Sequence, residues 1–86
     1  MKLNAAQQLA AKRALETLDK IGAGLPMETV FDEVERYIAR PIAKSERDYL
    51  TSLMEQEGWI DKQTDTITGR IIHYITNTGA TVKNRL

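Results

Sequence analysis

From Ala5 to Ile21 the chain contains no Pro, Gly or Val, and it then meets Gly22-Ala23-Gly24. A run of good helix formers closed by glycine, which accepts the left-handed conformation that ends helices, commits this stretch to one long helix with Asn4 as its N-cap. Ala11, Ala14, Leu15, Leu18 and Ile21 recur at helical spacing as its core stripe, whereas Ala5 and Leu9 project to the opposite side from Leu18. A chain of 86 residues has surface enough to bury one core and no more, so 1–86 reads as a single domain built against this helix.

Leu25 precedes Pro26 and is pushed toward extended backbone, and Pro26 suits the first turn of a second helix of about twelve residues. Val30, Phe31, Val34 and Ile38 form its apolar side, with Glu28, Asp32, Glu35 and Arg36 opposite, and Arg40-Pro41 stops it. Ser45-Glu46-Arg47-Asp48 has the form of a capping box with Asp in place of Glu, opening a third helix that buries Leu50, Leu53 and Met54 and ends at Gly58. Trp59 to Thr64 and Arg70 to Thr76, rich in β-branched and aromatic residues around a polar tip ending in Gly69, predict two strands of a hairpin. Thr76-Asn77-Thr78-Gly79 offers a cap for a last short helix through Val82, too brief to stand without packing. The expected class is mainly α with a small β-hairpin: a three-helix core, a hairpin and a short C-terminal helix.

Composition narrows the function. Without Cys there is neither a disulfide framework nor a thiolate metal site. The start, Met1-Lys2-Leu3-Asn4, runs into Ala and Gln, and no apolar stretch is long enough to cross a bilayer, so an intracellular, cytoplasmic protein is expected. Twelve basic and twelve acidic side chains give zero formal charge, which counts against strong phosphate binding, although both ends are basic and the middle is acidic.

The element order, with Gly58-Trp59-Ile60 closing the third helix and Tyr74-Ile75-Thr76-Asn77-Thr78-Gly79 closing the hairpin, resembles winged helix-turn-helix transcription factors over nearly the whole chain. The families named for multiple antibiotic resistance, arsenic resistance and phenolic acid response fit equally, as do small phage regulators. The resemblance implies a small transcriptional regulator whose third helix enters the major groove of double-stranded DNA while the hairpin, or wing, touches the backbone or the minor groove.

With Leu50 taken as the buried direction, Lys44, Ser45, Asp48, Thr51, Ser52, Glu55 and Gln56 face outward and Arg47 lies on the flank. Lys44 with the first-turn amides suits a phosphate, Arg47 a guanine edge, Gln56 an adenine, and Thr51 or Ser52 several partners, with Ser45 on the same DNA-binding face. Asp48 and Glu55 oppose this, because a carboxylate in a groove is repelled by phosphate, and a solvated helix face explains the same residues. Lys62, Gln63, Thr68 and Arg70 make the wing polar and basic, suited to phosphates, although any exposed turn wants such residues. On these grounds Arg47→Ala or Arg70→Ala is expected to weaken DNA binding without unfolding the domain. Lys83 and Arg85 could add phosphate contacts but read first as a frayed, solvated terminus.

Ala5 and Leu9 are the expected seam of a homodimer, since operators are commonly two-fold symmetric, although a scattered exposed Leu is normal on a monomer. Trp59, Phe31 and Met54 read as core, not as a stacking array. His73, the single histidine, sits on a strand with no nucleophile pattern nearby and reads as structural or surface. Asp32, Glu33 and Glu35 fall on different sides of a helix and lack a ligand loop, so no metal is assigned, and no catalytic residue or cofactor is expected. The competing reading is a winged helix that docks on a protein partner through its acidic second helix and the carboxylates of the third, without DNA.

Overall fold

The computed structural model describes residues 3–86; Met1 and Lys2, which begin the leaderless start expected from sequence, lie outside the described residues. The elements are α1 (Ala5–Ile21), α2 (Met27–Ile38), α3 (Lys44–Gln56), β1 (Ile60–Thr64), β2 (Ile71–Ile75) and α4 (Asn77–Val82). Asn4 caps α1 in a full capping box with Gln7, the two residues exchanging bonds of 2.8 and 3.1 Å, and Gly22 ends it in the left-handed region.

The core is one cluster drawn from every helix but the last. Ala10, Ala11 and Ala14 are small enough to let α2 approach α1 closely, and Leu15, Leu18, Val30, Phe31, Val34, Leu50 and Met54 fill the space between the three helices. Trp59 and Ile60 close its floor beneath the hairpin, while Leu3 and Ile42 seal its edges. Ile21, expected in the core stripe, is instead 54% exposed, because α1 stops there and its last turn overhangs the groove toward Leu25 and Tyr37.

β1 and β2 pair antiparallel from Ile60↔Ile75 to Thr64↔Ile71. Leu25, extended as Pro26 requires, bridges the other edge of β2: its N–H donates to the His73 carbonyl at 2.9 Å and its carbonyl accepts from the His73 N–H at 2.8 Å. The hairpin is thereby stitched to the turn between α1 and α2.

The residues that carry the family resemblance interlock. The Thr76 hydroxyl donates to the carbonyls of Gly58 and Trp59 and accepts from the Gly79 N–H at 3.0 Å, capping α4. Gly79 lies so close to the Trp59 carbonyl that a Cβ would collide with it. The end of α3, the end of the hairpin and the start of α4 thus meet at one point. Lys83, expected to fray, is tied back to α1 by an ion pair with Asp19 at 3.5 Å.

Candidate nucleic-acid interface

The capping box expected at Ser45 does not form. α3 starts two residues earlier, with Ala43 as N-cap and no side-chain cap bond. Asp48, which would have closed the box, accepts from Lys44 Nζ at 3.0 Å one helical turn away, and that bond raises the Lys44 pKa above the usual lysine value. The first turn of α3 therefore keeps amides that no side chain occupies, next to exposed Lys44 and Ser45.

Arg47 requires the largest correction. It does not reach outward for a base: its side chain is only 10% exposed and turned toward α2. Nε donates to the Ile42 carbonyl at 3.0 Å, Nη1 pairs with Glu28 at 2.9 Å and Asp32 at 3.1 Å, and Nη2 pairs with Glu35 at 3.0 Å. The acidic side of α2, opposite its apolar stripe, is the socket for this guanidinium. Three carboxylates and a carbonyl engage four of its five N–H donors, so the guanidinium is committed to the fold before any guanine edge.

Glu55 is corrected as well. Its carboxylate lies 2.9 Å from His73 Nε2, so it ties α3 to β2 instead of facing a groove unpaired. His73 is buried, as a structural histidine would be, and its Nδ1 has no partner among the described residues.

What remains outward on α3 is Lys44, Ser45, Thr51, Ser52 and Gln56, all exposed except the half-buried Thr51. Thr51 and Ser52 share a groove of about 540 Å³ with Arg70 and Ile71 of the hairpin, lined also by Met27, Phe31 and His73 and by the charged Glu28, Arg47 and Asp48. Residues nearly twenty positions apart in sequence are thus brought to one surface. Gln63 is separated from them: it lines another groove, with Gly22 to Gly24 and Tyr74. Gln56 stands at the far end of α3.

The hairpin carries two cations, Lys62 and Arg70, against two carboxylates, Asp61 and Asp65, so its formal charge is zero. Lys62 and Arg70 are exposed and, among the described residues, enter no ion pair. Asp65, the acid at the tip, accepts from the Ile67 N–H at 2.9 Å, a bond that pulls its pKa below the ordinary aspartate value. Thr68 is exposed, its hydroxyl accepting from the Arg70 N–H at 3.3 Å. Away from this surface, Ala5 is exposed and Leu9 is 44% exposed on α1. Among the described residues no His, Asp or Glu side chains group as a metal site, and no helix is long and apolar enough to cross a membrane.

No protein-family model and no curated protein matches the chain. Solved structures do. The PcaV transcriptional regulator of Streptomyces coelicolor is 25% identical, with a TM-score of 0.70 over 88% of this chain and 52% of its own. The same regulator in complex with its natural ligand is 26% identical, with a TM-score of 0.70 over 99% of this chain and 53% of its own. The chain therefore spans about half the length of that protein. TA0346 of Thermoplasma acidophilum, described as a transcriptional regulator, is 11% identical, with a TM-score of 0.77 over 99% of this chain and 81% of its own. Three helices, a two-stranded wing and a short closing helix, superposable on transcriptional regulators across the chain, make this a winged helix-turn-helix fold.

Proposed function

We propose that the chain is the DNA-binding part of a transcriptional regulator, gripping duplex DNA with the outer face of α3 and the hairpin wing and performing no catalysis. The observation that carries this reading is the shared surface of Thr51, Ser52 and Arg70, where the third helix and the wing present polar and cationic groups side by side. The uncapped first turn of α3 with Lys44 and Ser45 suits a phosphate at one end of it, and unpaired Lys62 suits another at the wing. Both carboxylates that argued against DNA are engaged within the protein, Asp48 by Lys44 and Glu55 by His73. Gln56, Gln63 and Thr68 stand at the edges of this footprint. The regulator role is supported by the names of the superposable proteins, and a cytoplasmic site of action is part of the same proposal.

Self-association through Ala5 and Leu9 completes the proposal, because two copies would present two wings to a symmetric operator. A second reading has its own observation. Glu28 and Asp32 keep two-thirds of their side chains in solvent while sharing one arginine, so α2 carries surplus negative charge that a basic protein partner would complement. The deciding experiment is binding to random-sequence duplex DNA at two salt concentrations. Salt-sensitive retention followed by recovery of a preferred sequence supports the regulator, and no retention at low salt moves the assignment to protein docking.

A further inference from the structure

The wing ends in a tightly preset loop whose outermost side chain is an isoleucine. The Asp65 N–H donates to the Arg70 carbonyl at 2.8 Å, the Gly69 N–H donates to the Asp65 carbonyl at 2.8 Å, and the Asp65 carboxylate accepts from the Ile67 N–H. Gly69 takes φ +73°, where a residue with a Cβ is strained. These constraints hold Ile67 93% exposed, the most exposed of the large apolar side chains. Turn tips favour Gly, Asn, Asp and Ser, so an aliphatic residue at the apex of a rigid loop runs against the local chemistry.

Its surroundings specify the partner. Thr66 and Thr68 flank it, small and hydroxyl-bearing, the cations Lys62 and Arg70 stand behind it on the two sides of the hairpin, and the loop's one carboxylate, Asp65, is occupied by the Ile67 N–H. One aliphatic knob between short polar residues and two cations is poorly matched to a broad apolar protein surface. It matches the minor groove, about 6 Å wide and walled by phosphates.

We propose that Ile67 is an apolar wedge that enters the minor groove of duplex DNA and opens one base step while Lys62 and Arg70 hold the phosphates on either side. This rests on the DNA reading above and adds a specificity that hydrogen bonds do not carry. Aliphatic side chains inserted between base pairs unstack them and kink the duplex, and pyrimidine–purine steps yield most easily. Operators under the wing are accordingly selected for flexibility.

The test uses the full chain and a duplex recovered by selection from a randomised pool, labelled at its ends for energy transfer and carrying 2-aminopurine tiled along one strand. The wild type should brighten 2-aminopurine at one step and shorten the end-to-end distance. Ile67→Ala, which should leave the circular dichroism and melting temperature unchanged, should lose both signals and about tenfold in affinity, and Ile67→Leu should restore them. Retained affinity with unchanged bending and fluorescence in Ile67→Ala overturns the wedge while the DNA reading stands. No binding by the wild type at low salt overturns both.

Discussion

One oxygen of Glu35, Oε2, accepts the Ile42 N–H at 2.6 Å and pairs with Arg47 Nη2 at 3.0 Å, while Arg47 Nε returns a bond to the Ile42 carbonyl at 3.0 Å. The three residues close a ring that joins the end of α2, the loop after it and the first turn of α3. The angle between the two helices of the helix-turn-helix is therefore set by a charged clasp as well as by the apolar core.

Removing the cation leaves three carboxylates facing each other with an unpaired carbonyl among them. Loss of one partner from a buried pair costs about 3–5 kcal/mol, and solvent access to Glu28 and Asp32 reduces this, so Arg47→Ala should destabilise by about 2–4 kcal/mol. Urea unfolding should show a lower midpoint with an unchanged slope. A midpoint equal to the wild type's would mean that the clasp contributes nothing.

The same clasp dictates a response to acid. The backbone bond from Ile42, and after it the Arg47 guanidinium, hold the Glu35 pKa below its ordinary value of 4.5. A depressed folded-state pKa contributes stability that is complete above the unfolded value and is lost as pH falls through the folded one. Glu35→Gln should therefore be less stable than the wild type at neutral pH, and the gap should narrow steadily below about pH 4.5. A gap that stays constant into acid would assign the effect to packing and not to ionisation.

Much of the architecture was readable because its signals are local. Asn4 with Gln7, Pro26 and Gly22 each act within a turn, and the stripe of Val30, Phe31 and Val34 follows from periodicity alone. Arg47 was misread because spacing places it on a flank, and whether a flank meets water or another helix depends on how α2 crosses α3. Glu28, Asp32 and Glu35 at helical spacing were the available clue, since such a strip can serve as a socket as well as a solvated face. The pairing of Glu55 with His73 spans eighteen residues and depends on the hairpin folding back, which no local pattern encodes. Ile67 carries no signal in sequence, because a lone aliphatic residue in a polar turn fits neither a core stripe nor a set of hydrogen-bond donors.

Ala39 ends α2 at φ +54° and ψ +39°, the one non-glycine residue with positive φ among those described. For a residue with a Cβ this region costs about 1–2 kcal/mol, part of which glycine would return to the more flexible unfolded chain. Ala39→Gly should stabilise the domain by about 0.5–1 kcal/mol and raise its melting temperature by several degrees. A lower melting temperature would show that the Ala39 methyl group packs more usefully than its exposure suggests.

Gly79 presents the opposite case. Its φ is ordinary and its constraint is space, because a Cβ would overlap the carbonyl of Trp59, a backbone atom with no rotamer to escape into. Gly79→Ala should cost about 2–3 kcal/mol by forcing α4 away from the Thr76 junction. Calorimetry checks the loss. A melting temperature within a degree of the wild type's would mean that α4 shifts freely and is not pinned by this contact.

Arg70 supplies the comparison that separates structure from recognition. Like Arg47 it is an arginine at the edge of the groove near Thr51 and Ser52, but it is exposed and, among the described residues, unpaired. Arg70→Ala should leave the melting temperature unchanged, weaken DNA binding roughly three- to tenfold near physiological salt, and lower the salt slope by about one unit, the signature of one lost phosphate contact. Arg47→Ala, compared at a temperature where both variants are folded, should instead change stability with little change in that slope. If both arginines altered the slope equally, the clasp would be opening on DNA and Arg47 would belong to the interface. If neither did, the groove would not be where phosphates bind.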